Sequence, residues 1–159
     1  MENQTDIRLR KAGIGTILAL RYFFGFFFLY GAYHKTTRKW LTSAVMRDHF
    51  RQRLAEIDPD SFSAAYLRLF AIPWYRPVAW VLTLGQMSVA LSMLLGVAVR
   101  PNAALALFLL LNISAGAFYN LTMPPFIVTA ILLILTPSGQ WLGLDRKLHE
   151  RFPEIALFV

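Results

Sequence analysis

One cation stands where a cation is costly. Arg21 lies about nine residues into an apolar run that starts at Ala12. A guanidinium at such a depth costs about 2.5–3.5 kcal/mol in hydrocarbon, so it should turn toward neighbouring helices or a polar cavity. No Asp, Glu, Lys or His lies between Val78 and Val99 or between Ala103 and Gly143, so the other apolar runs offer it no carboxylate. Its candidate partners are Gln86, Asn112, Asn120, backbone carbonyls, or a ligand with oxygen acceptors. The structural alternative is an Arg21 that snorkels to headgroups from a tilted helix. Gln86 and Asn112 carry two readings as well. Amides in apolar helices join neighbouring helices at about 1 kcal/mol each, and they can also hydrogen-bond the carbonyl of a quinone or a similar headgroup.

Other chemistries lack their parts. There is no cysteine, which removes thiolate nucleophiles, disulfide exchange and iron–sulfur ligation. His34, His49 and His149 are dispersed and lie outside the apolar runs. They offer no axial haem ligand within a bundle and no metal site. Without an intramembrane carboxylate the chain has no acid–base or nucleophilic set of its own. The expected site is therefore a binding site without catalytic or metal-ligating residues. A quinone, lipid or pigment would be held by contact, and any redox chemistry would come from a bound cofactor or a partner. Lys35, Arg38 and Lys39 form a basic cluster suited to an anion or to lipid headgroups.

The elements that must position these residues are apolar and long. The chain has 159 residues, 57% of them hydrophobic, with a formal charge of +7 and a mean hydropathy of +0.49. A polar backbone crosses hydrocarbon as a helix of about 20 apolar residues. Four runs meet that length, at about 12–33, 77–99, 102–121 and 125–142. The expected fold is an all-α membrane protein, a four-transmembrane-helix bundle forming a single domain over 1–159. The first run follows Arg8, Arg10 and Lys11 but is longer than a signal core and ends in bulky Phe and Tyr, so it is read as a retained span. The basic residues avoid the apolar runs, which favours lipid phosphate over nucleic acid as their partner.

The segment 34–76 joins spans one and two. Leu41, Val45, Phe50, Leu54 and Ile57 recur at helical spacing and predict an amphipathic helix lying in the membrane interface. Asp58-Pro59-Asp60-Ser61 offers cap chemistry for a second helix carrying Phe62, Tyr66, Leu69 and Phe70, which Pro73 ends. In the second span Gly85, Ser88, Ser92 and Gly96 make a stripe of small residues suited to close helix packing. In the third, Asn112, Gly116 and Asn120 share a face. Pro137 should kink or end the fourth. The tail, 146–159, predicts a short interfacial helix. Four spans put both termini on one side, read as cytoplasmic because short flanks carry the positive bias most strongly.

The order of these motifs resembles the DoxX/DoxD-like membrane proteins. Arg21-x3-Gly25-x5-Gly31-x3-Lys35 with a Trp-bearing linker is similar to the family's start. The run from Gly85-Gln86 to Gly96 and Arg100 resembles its glycine-bounded second helix and arginine turn, and Gly143-Leu144-Asp145 its closing Leu-Asp. The resemblance covers about Leu20 to Asp145. Where the family usually has an acidic residue, this chain has Gln86. The resemblance implies a four-helix bundle in the prokaryotic cytoplasmic (inner) membrane, associated with redox systems. Two functions are expected of such a chain. One is a non-catalytic accessory subunit of a respiratory or photosynthetic redox assembly, its Phe-rich first span packing on partner helices, lipids or pigments. The other is a subunit of a quinone-linked oxidoreductase of the thiosulfate:quinone type, with a headgroup pocket near Arg21. A transporter would show paired broken helices, and only the fourth span is interrupted.

Overall fold

The structure is a computed structural model, and residues 4–154 of it are described here. Every regular element among them is helical. Helix α1 runs Gln4–Thr37. Its first turns are not a separate lead-in, because residues 4–11 contain no Gly or Pro and Asp6 complements the N-terminal dipole. The linker folds as α2, Val45–Glu56, and α3, Phe62–Tyr66, capped by the Ser61 hydroxyl, which accepts from the Ala64 N–H at 3.2 Å. A wide π turn, Leu67–Ala71, continues α3. Then come α4, Tyr75–Leu95, α5, Val99–Ala115, α6, Met123–Leu135, α7, Ser138–Trp141, and α8, Asp145–Arg151. Residues 155–159 of the expected tail helix lie outside the described residues.

Two helices, α1 with 34 residues and α4 with 21, are long and apolar enough to cross a membrane. The other two expected spans are shorter than the spacing predicted. Helix α5 has 17 residues because Gly116 and a left-handed Ala117 (φ 62°) end it. Asn120 therefore falls in a loop, off the face it was expected to share with Asn112. Helix α6 has 13 residues, with Pro124 and Pro125 in its first turn and Pro137 just past its end.

Helices α1, α4, α5 and α6 touch in a closed ring, α1 packing on α4 and α6, and α5 on α4 and α6. The seam between α1 and α4 is glycine-dependent. A Cβ at Gly25 would lie 3.0 Å from the Met93 Cβ, and one at Gly31 would lie 3.2 Å from the Gln86 amide. Gly85 faces α5, where a Cβ would meet Leu109 at 3.0 Å. Ser88 donates to Asn102 Oδ1 at 2.8 Å, so the small-residue stripe serves the α4–α5 contact. The outside of the ring is apolar. Phe23, Phe26, Tyr30, Trp80, Leu84, Phe108, Leu111 and Leu135 are all exposed. In the most apolar stretch of α1 only 22% of the residues are buried, unlike the core helix of a water-soluble fold.

Helix α1 also outruns the ring. At 1.5 Å per residue it is about 51 Å long, and a Cβ at Gly13 or Gly15 would meet nothing within 4 Å. By contrast Gly96 (φ +66°) ends α4 with its Cα against Gly143, where a Cβ would come to 2.6 Å. Gly96→Ala should lower the thermal midpoint, through a loss of about 2 kcal/mol. Gly13→Ala, on an open helix face, should leave it unchanged or slightly raised. Thermal unfolding of the purified variants, followed by tryptophan fluorescence, checks the contrast.

Candidate functional site

The polar residues singled out by the sequence separate into two ends of the ring. At one end Arg21 is fully buried. Its Nη1 donates to the Ser138 carbonyl and its Nη2 to the Leu142 carbonyl, while Nε has no hydrogen-bond partner. Backbone carbonyls, one of the candidate partner classes, therefore hold the charge. They become available because Pro137 breaks the chain after α6 and α7 is a single turn, leaving carbonyls that no helical N–H satisfies. Carbonyl dipoles and a cation in a region of low dielectric make strong charge-assisted hydrogen bonds.

Asp145 completes this knot. It is 4% exposed, and its carboxylate accepts from the Ala98 N–H at 2.6 Å and the Val99 N–H at 3.2 Å. Those donors open α5, where a negative charge also meets the helix dipole. The Asp145 N–H donates to the Gly96 carbonyl at 2.8 Å. Ser92 closes the α4–α5 turn by donating to the Val97 carbonyl at 2.6 Å. Gly139 is indispensable, since a Cβ there would fall inside the Asp145 carboxylate.

The expected companions of Arg21 lie elsewhere. Gln86 is 5% exposed and sits against Gly31, ten residues or about 15 Å along α1 from Arg21. Its Oε1 has no hydrogen-bond partner. Asn120 is exposed and caps the loop before α6, accepting from the Thr122 N–H at 3.0 Å. Arg38 and Lys39 are exposed, and Lys39 takes a left-handed turn (φ 57°). Gly116 ends α5 and opens onto a cavity at the far end of the ring.

That cavity has a volume of about 430 Å³ and lies among α1, α2, α3 with its π turn, α4, α5 and the Phe118 loop. Phe50, Leu82, Phe108, Leu109, Ile113 and Phe118 wall it, together with Tyr66, Phe70 and Trp74. Its polar members are Lys35, His49, Tyr66 and Asn112. The Tyr66 hydroxyl donates to Asn112 Oδ1 at 3.1 Å, and Asn112 Nδ2 donates to the Phe108 carbonyl at 2.8 Å. Burial pushes the Tyr66 phenol up from its ordinary value. His49 stacks on Phe118 at 4.8 Å and lies 5.6 Å from Trp40. Its ring is held below the ordinary histidine value by burial and by the Arg53 and Lys35 charges, against the opposing Glu56.

Residues outside the expected site set build this end. Arg53 Nε donates to the Ala117 carbonyl at 2.9 Å and so fastens α2 to the loop after α5. Tyr66 reaches Asn112 across 46 residues of sequence, a contact no local pattern announces. Lys35 did carry a signal, because Arg21, Gly25, Phe28, Ala32 and Lys35 fall three or four apart, on the buried stripe of α1. Among the described residues no three of His, Asp and Glu converge on a point that could hold a metal.

This chain matches no protein-family model, no curated protein and no solved structure. Its site is therefore read from its own geometry.

Arg21→Met should cost on the order of 3 kcal/mol by stranding two buried carbonyls, seen as a lower midpoint of chemical or thermal unfolding. His49 gives a pH test. Its depressed value means that the unfolded chain binds its proton first. This contribution is whole above 6.5, the ordinary histidine value, and is lost as pH falls through the lower folded value. Stability measured between pH 7.5 and 5.5 should fall in the wild type and fall less in His49→Phe.

Proposed function

We propose that this chain is a four-span protein of the prokaryotic cytoplasmic membrane, of the DoxX/DoxD-like kind, that holds a lipid-soluble molecule in the cavity beside Tyr66 and Asn112. The cavity itself carries the reading. Ligand sites of this size are apolar enclosures with a few fixed polar groups, and this one pairs aromatic and aliphatic walls with one tyrosine–asparagine couple. The apolar exterior of the ring supports a lipid surrounding. The closed contact of α1, α4, α5 and α6 supports four crossings, which would put both termini on one side, the cytoplasmic one by the charge of the short flanks. Helices α6 and α7 together, about 123–141, would make the last of these.

In this reading the protein is a non-catalytic accessory subunit of a membrane redox assembly. The part of α1 that stands clear of the ring, with its apolar residues 12–20, is the surface it offers to other subunits. The quinone-linked alternative survives in altered form. Arg21 is fully buried, gives each Nη to a carbonyl and does not line the cavity, which leaves a headgroup no access to it. A quinone carbonyl would instead find a donor in the second Nδ2–H of Asn112, the Tyr66 hydroxyl being spent on Asn112 Oδ1.

Mass and absorption spectra of what co-purifies after mild extraction test the proposal directly. A lipid-soluble molecule should be retained in stoichiometric amount. Asn112→Leu should weaken its retention by roughly 10-fold, the worth of the one hydrogen bond its second N–H can give a ligand. An Ile113→Trp variant, which narrows the cavity, should retain less of the molecule while remaining folded. A protein that carries nothing and binds no added quinone or lipid would count against the cavity as a site.

A further inference from the structure

We infer that the occupant of this cavity is a single-chain amphiphile with an ionised acid head, seated with that head at Lys35 and its chain among Leu82, Phe108 and Leu109. This deepens the proposal above and rests on it.

The observation is a charge without a counter-charge. Lys35 extends the buried stripe of α1, lines the cavity and is only partly exposed. Among the described residues no carboxylate comes within salt-bridge distance of it. Its amine lies over the Trp40 ring, 5.3 Å from the centroid. The acid on the neighbouring face of α2, Glu56, is already taken by Arg53 at 3.0 Å. A cation over an aromatic face recovers part of its lost hydration, but an ammonium at an apolar wall still gains most from an anion.

The other polar groups do not compete for such a head. The Tyr66 O–H is spent on Asn112 Oδ1 and one Asn112 N–H on the Phe108 carbonyl, which leaves the couple a single neutral N–H for the ligand and no charge for an acid head. Among the described residues that line the cavity, Lys35 alone brings a cationic group without a counter-charge; burial lowers its pKa to about 8, which leaves it protonated at neutral pH. A second, smaller cleft of about 190 Å³ shares His49 and Phe118 with it and adds Gln52, Arg53 and Glu56. The cationic end is thus the end that adjoins a polar opening, while the opposite walls are apolar. That polarity fits one acyl chain with its acid group outward. A neutral quinone, which needs donors deep in the pocket, fits it less well.

The test uses the full chain in nanodiscs of zwitterionic phosphatidylcholine, with binding read by displacement of a fluorescent polyene fatty acid. Oleate and oleoyl lysophosphatidate should displace it at least 10-fold more tightly than oleyl alcohol, and the two acids together distinguish a carboxylate from a phosphate head. Lys35→Met should erase the preference, bringing the acids to the level of the alcohol, and Lys35→Arg should restore it. The thermal midpoint of each variant is measured alongside, so that a folding defect is not mistaken for a binding defect. Equal binding of acid and alcohol by the wild type, or a preference that survives in folded Lys35→Met, overturns the inference and leaves the cavity as a neutral site. If neither the probe nor any of the three ligands binds, the cavity reading itself falls with it.

Discussion

A buried guanidinium sets the terms for one end of this protein. Arg21 has no exposed surface, so its charge must be compensated within the fold. The compensation comes from two main-chain carbonyls, Ser138 and Leu142, that a proline-broken helix leaves free. Much else follows from that need. Segment 138–145 must return across the middle of α1, which requires Gly139 and Gly143 at the crossing points and Gly96 beneath them. Asp145 then ties the same segment to the start of α5. One cation and one anion, not paired with each other, close the ring by fixing backbone on opposite sides of a single turn. Breaking either leaves polar backbone buried without a partner, which costs more than the surface pairs elsewhere contribute.

The opposite end is built on another principle. Lys35 lies 14 residues, or about 21 Å, further along α1 on the same stripe as Arg21. There the polar groups are sparse and the walls aromatic, and the linker helices roof a void instead of filling it. Arg53 keeps the roof in register by holding the carbonyl of Ala117, whose left-handed backbone ends the neighbouring strand of contacts. Rigidity at the Arg21 end and an open volume at the Lys35 end divide the labour within one ring of helices. The same helix supplies a cation held by two main-chain carbonyls to the first and one without a hydrogen-bonded acceptor to the second.

Much of the helical order was legible because apolar runs and breakers are local. The Ser61 cap and the breaks at Pro73 and Pro137 all follow from residue chemistry within a few positions. The lengths of α5 and α6 were not legible. A run of apolar residues does not mark where a helix stops, and α5 stops at Gly116 and a strained Ala117 that composition conceals. The grouping of Arg21, Gln86, Asn112 and Asn120 into one pocket followed from their shared rarity as polar residues in apolar runs. Rarity carries no information about depth, and the antiparallel pairing of α1 with α4 sets Gln86 opposite Gly31 and well away from Arg21. Tyr66 was legible as a stripe residue and Asp145 as part of a closing motif, but not their partners, which lie 46 or more residues away.

The π turn at Leu67–Ala71 has a consequence for how this roof can vary. Its i→i+5 bond, from the Ile72 N–H to the Leu67 carbonyl at 2.9 Å, stores one spare residue relative to an α-helix. Removing that residue would rotate everything downstream by about 100° against everything upstream. Tyr66 lies on one side of the turn and Trp74 on the other, yet both border the cavity. The rim of the cavity is therefore governed by residue count as much as by residue type. A single deletion here would turn an aromatic away from the void while leaving the composition of the segment almost unchanged.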